Sequence, residues 1–138
     1  MLDLGTEFGA HVAERLDKER IIWLVTVGAD LSPQPSPVWF VWDGEQFLIY
    51  SRPGAPKLRN IARNPKVALH FDGDGVGGDI VIFTGEAQID QSAPPANEVA
   101  SYVDRYREGF TRIQMTPESF ALAYTVAIRV RAAKLRGH

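Results

Sequence analysis

Apolar positions along this chain switch between a helical and an alternating period, and each switch marks a change of element. Over residues 6–18 they fall at Phe8, Val12 and Leu16 with Ala13 alongside, which predicts an amphipathic helix capped by Thr6. Ile21 to Val27 is an unbroken, largely β-branched run, the pattern of a strand covered on both faces. After a turn at Gly28-Ala29-Asp30, the segment Leu31 to Pro37 holds Pro33, Pro35 and Pro37 at alternate positions. Such a segment is extended but cannot donate a full hydrogen-bond ladder, which suits a sheet edge or a place where backbone meets a ligand. Strands over residues 38–43 and 46–51 then flank Asp43-Gly44, a hairpin signal. In the first of them Val38, Phe40 and Trp42 share one face and Trp39 and Val41 the other, so both faces are expected to be buried, one of them by a partner molecule.

Further on, Pro56 opens a short helix over residues 56–63, which ends before Asn64-Pro65, and Val67 to Asp72 reads as a strand. Gly73, Gly75 and Gly78 match the spacing G-x-G-x-x-G after that strand. A dinucleotide fingerprint requires a helix next, whereas Ile80 to Asp90 is β-rich, so this run reads as a hairpin loop. Residues 95–108 place Val99, Tyr102, Val103 and Tyr106 on one helical stripe. Thr116-Pro117-Glu118-Ser119 opens another short helix through Leu122, and Tyr124 to Leu135 alternates as a final strand. The tally is six strands with three or four helices, mostly joined as hairpins. That pattern is α+β, a closed antiparallel β-barrel with helices at its ends, in a single domain over residues 1–138.

Composition narrows the chemistry. With 138 residues and 45% hydrophobic content the chain can bury a core of its own. No apolar run approaches the length of a membrane span, and the first twenty or so residues are charged from Asp3 onward, so no membrane association is expected. The absence of cysteine rules out disulfides, thiolate metal ligands and thiol nucleophiles, and fits a cytoplasmic location. A formal net charge of −2 argues against general nucleic-acid binding. His11, His70 and His138 are scattered, so no metal site is expected, and no G-x-S-x-G elbow is present.

Charge is nevertheless organised locally. Between Glu45 and Asp72 no acid occurs, yet Arg52, Lys57, Arg59, Arg63 and Lys66 all fall there. Arg59, Arg63 and Lys66 suit the wet face of the helix whose Leu58, Ile61 and Ala62 point inward. Arg52 and Lys57 instead flank its first turn, where free amides and the helix dipole favour an anion, above all phosphate. An anion pocket without reactive side chains implies that any chemistry belongs to a bound cofactor.

The stretch SPVWFVWDGEQFLIYSRPGAPKLRNIARNPKVAL resembles the signature of the pyridoxamine-phosphate-oxidase-like split-barrel flavoproteins, and is most similar to their actinobacterial, coenzyme F420-dependent branch. The resemblance runs from Ile21 through Leu135, and its most specific part is Lys57, Asn60, Ile61, Asn64 and Pro65. It implies a six-stranded FMN-binding split barrel, a homodimer, and a cofactor at the subunit interface. Carried onto this chain, Ser51, Arg52 and Lys57 would hold the cofactor phosphate, and Pro37, Val38 and Trp39 would lie along the ring. Tyr50, Ala55 and Pro56 complete the implied cofactor-binding set. The implied activity is hydride transfer between the deazaflavin F420 and a small organic substrate, with no assigned catalytic residue; Tyr50 is a candidate proton donor or simply a packed strand tyrosine. The alternatives are an FMN-dependent oxidoreductase of the same family, and a protein that binds cofactor or haem without turnover. The chain lacks the extension with which true pyridoxamine-phosphate oxidases grip pyridoxal phosphate, which points away from that reaction.

Overall fold

The computed structural model describes residues 2–138. Its helices are α1 (Glu7–Lys18), α2 (Pro56–Arg63), α3 (Ala100–Arg112) and α4 (Pro117–Ala123), with a 3-10 turn at Ala96–Glu98 ahead of α3. Its strands are β1 (Ile22–Val27), β2 (Pro33–Val38), β3 (Val41–Trp42), β4 (Gln46–Ser51), β5 (Lys66–His70), β6 (Val81–Ile89) and β7 (Val126–Gly137). All pair antiparallel in one curled sheet of order β2-β1-β5-β6-β7-β4-β3, giving an α+β split barrel.

The sheet has seven strands where six were expected, and the additional one is the proline segment. β2 pairs along the whole of β1, with Val27 opposite Pro33, Val25 opposite Pro35 and Trp23 opposite Pro37. Alternate spacing puts the three missing N–H groups on the same side of the strand, its free edge. Gln34, Ser36 and Val38 remain to bond β1, and the bare edge is a poor template for another strand.

The strand expected over 38–43 shrinks to Val41–Trp42 because Tyr106 intercepts the backbone before it. The Phe40 amide donates to Tyr106 Oη at 2.7 Å, and that hydroxyl faces the Phe40 carbonyl at 2.9 Å. The predicted alternation survives: Val38, Phe40 and Trp42 face the barrel interior, whereas Trp39 and Val41 face outward. That outer face is covered in part by α3 and α4 of the same chain, with Tyr106, Phe110 and Phe120, and Trp39 and Val41 stay partly exposed. Two cores result. One fills the barrel and is plugged at one end by Val12 and Leu16 of α1; the other lies between the outer sheet surface and α3–α4.

Gly85, in the middle of β6, marks a bulge. At Gly85 the β6–β7 register shifts, and a Cβ would meet the Arg131 carbonyl oxygen at 2.1 Å. Gly73–Gly78 joins β5 to β6 as a hairpin loop, closed by the Asp74 carboxylate accepting from the Val76 and Gly78 amides. No helix follows it, so the glycine spacing carries no dinucleotide fingerprint here.

Candidate functional site

β4 delivers the site. Tyr50 and Ser51 end that strand, Arg52-Pro53-Gly54 turns the chain with Gly54 at φ 81°, and Ala55 leads into α2. Ala55 offers no side-chain acceptor at the N-cap, and Pro56 occupies the first helical turn. The α2 N-terminus is therefore left without a side-chain cap, a polarity that suits an anion.

Eight of the nine residues expected to contact cofactor meet around one cleft of about 360 Å³: Pro37, Val38, Trp39, Tyr50, Ser51, Arg52, Ala55 and Lys57. Pro56 is exposed and does not line it; its part is to start the helix. The cleft also takes in Tyr102, Ile113, Phe120 and Tyr124, which were not singled out from the sequence. In the sequence pattern Tyr102 is only one member of a helical stripe. The available signal was a tyrosine at a position buried enough for phenylalanine.

The lining holds two cations, five aromatic rings and no carboxylate. Lys57 is half-buried and, among the described residues, makes neither an ion pair nor a side-chain hydrogen bond. Burial alone pulls its pKa below the ordinary lysine value of 10.5, as expected for an ammonium that has lost water without gaining an anion. Ser51 is buried and its hydroxyl donates to the Arg52 carbonyl at 3.0 Å. The Tyr50 hydroxyl donates to the Pro94 carbonyl at 2.6 Å and burial raises its pKa, so its proton is committed to the backbone.

Trp39 is held flat between rings. It stacks on Tyr106 at 4.5 Å and 3° and on Phe120 at 5.3 Å and 14°. Gly109 makes room for it, since a Cβ there would stand 3.0 Å from Trp39 Cη2. A second support lies behind α2. Asn60, buried, donates through Nδ2 to Thr26 Oγ1 at 3.0 Å and Gln34 Oε1 at 2.9 Å. It ties α2 to β1 and to β2, the strand that carries Pro37 and Val38. A further cleft of about 380 Å³ lies beside Leu2, Trp42, Glu45 and Arg131 and includes none of the residues expected to contact cofactor.

Among the described residues no group of His, Asp and Glu could hold a metal ion, and no helix is long and apolar enough to cross a membrane. Over residues 8–138 the sequence matches the pyridoxamine 5'-phosphate oxidase family, and the chain belongs to it. No curated protein matches it. Among solved structures, an F420 reductase is 26% identical with a TM-score of 0.64, over 89% of this chain and 94% of its own. A conserved hypothetical protein from Mycobacterium tuberculosis is also 26% identical, with a TM-score of 0.72 over 95% and 82% of the two chains. The haem storage protein HutZ of Vibrio cholerae shares the fold at 16% identity and a TM-score of 0.66, over 96% and 95%.

Proposed function

We propose that this protein is an F420-dependent oxidoreductase that transfers hydride between the deazaflavin and a small organic substrate, acting as a homodimer. The observation that carries this reading is the pairing of an uncompensated Lys57 at an uncapped helix start with a cleft walled by aromatic rings. A ring cofactor bearing a phosphate needs both. The preference for the deazaflavin rests on the SPVWFVWDG and SRPGAPK segments and on likeness to an F420 reductase.

When bound, the coenzyme supplies the hydride chemistry. In this reading Lys57 and Arg52 neutralise its phosphate, and the α2 amides add donors that need no side-chain movement. Pro37 and Val38 set the ring's edge, while Trp39, held by Tyr106 and Phe120, gives a rigid wall that excludes water. FMN offers similar groups and is the alternative cofactor.

The test is to identify the coenzyme that co-purifies, titrate the free protein with F420 and FMN by fluorescence, and follow reoxidation of the reduced coenzyme by candidate acceptors. Tighter binding of FMN would overturn the choice of cofactor, and binding of neither would overturn the reading itself. Sedimentation that finds a stable folded monomer at micromolar concentration would remove the homodimer.

A further inference from the structure

One hydroxyl in the cleft wall has no use inside the folded chain. Tyr102 stands on α3, fully buried, with its ring lining the cleft beside Phe120 and Ile113. Among the described residues its Oη is buried and has no hydrogen-bond partner. Two neighbouring phenols are committed: Tyr50 donates to Pro94, and Tyr106 bonds the backbone of Phe40 and Arg20. Packing does not account for the oxygen. Tyr102 meets Tyr50 edge-on at 5.1 Å and Tyr106 and Phe120 at 5.0 and 5.9 Å, contacts that a phenylalanine ring would make equally well. Burying a hydroxyl without a partner is unfavourable, so its presence calls for an acceptor that arrives from outside.

Arg105 Nε is likewise buried without a partner, but the rest of that guanidinium caps the end of α1 through the carbonyls of Leu16, Asp17 and Glu19. It has a structural use; the Tyr102 hydroxyl has none.

We propose that Tyr102 recognises the ligand of this cleft, its hydroxyl donating a hydrogen bond to a carbonyl or quinone-type oxygen on a flat aromatic molecule. The walls favour a flat aromatic ligand because Trp39, Phe120 and Tyr124, stacked on one another, make them apolar and stiff. Tyr102 is itself part of the wall, so a ligand packed against it reaches the oxygen through local side-chain adjustment. The phenol acts as a donor, because burial holds it protonated far beyond neutral pH. The oxygen has two sources, the coenzyme ring or the substrate, and only the first rests on the functional reading above.

The test compares Tyr102→Phe with wild type. In the free protein the Tm is expected to stay level or rise, since no bond is lost. A lower Tm, or failure to fold, would mean that the hydroxyl is already bonded, and overturns the proposal. Binding is then read by fluorescence titration of F420 and FMN, and by quenching of tryptophan fluorescence with menadione, a flat quinone, with and without saturating coenzyme. About ten-fold weaker binding is expected for one of them. A loss confined to the coenzymes assigns the oxygen to the coenzyme ring; a loss confined to menadione assigns it to the substrate; no loss for any probe overturns the proposal. If wild type binds neither coenzyme, the functional reading fails and the menadione arm decides alone. Weaker menadione binding by the variant then sustains the role of Tyr102, and equal or absent binding removes it.

Discussion

The guanidinium of Arg52 lies over the ring of Tyr124, 4.6 Å from its centroid, and Tyr124 in turn stacks on Phe120 at 4.2 Å. The loop after β4 is thereby tied to the end of α4. Arg52 already has a partner for its charge, whereas Lys57 has none, so the two cations of the cleft are not equivalent.

Lys57→Ala is expected to weaken coenzyme binding by about 10- to 150-fold, the value of a charge-assisted hydrogen bond of roughly 1.5–3 kcal/mol. Arg52→Ala acts in the same direction but less, because this exposed side chain is shared between solvent and the Tyr124 ring. Raised salt will weaken wild type more than Lys57→Ala. Fluorescence titration at two salt concentrations reads all three effects; wild-type affinity in Lys57→Ala would remove the phosphate assignment.

The same lysine makes an opposite prediction for the free protein. Its pKa is lowered on folding, so between the folded value and 10.5 the unfolded chain holds more protons. Its contribution to stability therefore rises with pH across that window, and at neutral pH the buried charge is a cost. Lys57→Gln should melt at the same temperature as wild type or higher at pH 7, while binding coenzyme less tightly. A clearly lower Tm would show that the ammonium has a partner in the free chain.

Gly109→Ala sets two magnitudes against each other. Alanine gains up to about 1 kcal/mol of helix propensity. Its Cβ, however, would press on Trp39, which Tyr106 and Phe120 prevent from yielding, and overpacking of this kind costs roughly 1–3 kcal/mol. The net expectation is destabilisation together with weaker coenzyme binding, since Trp39 is a wall of the cleft. Denaturant melts and titration of the folded protein separate the two effects.

Asn60→Asp replaces an amide donor by an acceptor facing Thr26 Oγ1 and Gln34 Oε1. At neutral pH it is expected to destabilise more than Asn60→Ala, by an additional 1 kcal/mol or so for the buried charge, eased by Arg63 nearby. Burial raises the pKa of such a carboxyl, so the penalty is present above its unfolded pKa and fades as pH falls. Thermal melts of both variants at pH 7 and 5 check this; a gap that widens on acidification would contradict it.

The glycine loop provides a control. Gly75 sits at φ 87° with open space around it, so Gly75→Ala is expected to cost about 1 kcal/mol through backbone strain alone. None of its residues lines the cleft, and coenzyme affinity should hold. An affinity loss as large as that of Lys57→Ala would return this loop to consideration as a phosphate binder.

Elements governed by local chemistry are legible in the sequence. α2 begins at Pro56 and β4 spans Gln46–Ser51, both as expected, because a helix-starting proline and an Asp-Gly turn act within a few residues. Residues whose roles depend on distant chain are not. The loss of Trp39 and Phe40 from a strand follows from a hydroxyl on Tyr106, and the burial of Trp39 follows from a missing side chain at Gly109. Likewise the β4 end of the cleft was readable as a cationic segment, but Tyr102, Phe120 and Tyr124 arrive from α3 and α4 by tertiary packing. Nothing in their local pattern separates a cleft wall from an ordinary core.

The placement of β7 also determines the order in which the cleft can come into being. In the sheet it stands between β6 and β4, so the β3–β4 hairpin, with Tyr50, Ser51 and Arg52, joins the other strands only through it. Yet β7 follows every other strand in sequence, and Ser51 must await Val126 as its partner. Pairing over so long a separation closes a large loop before it is rewarded, which slows folding. The β1–β2 and β5–β6 hairpins can assemble from nearby chain, whereas the cleft needs β7 in place, so ligand affinity is expected to appear late in refolding, together with full sheet content.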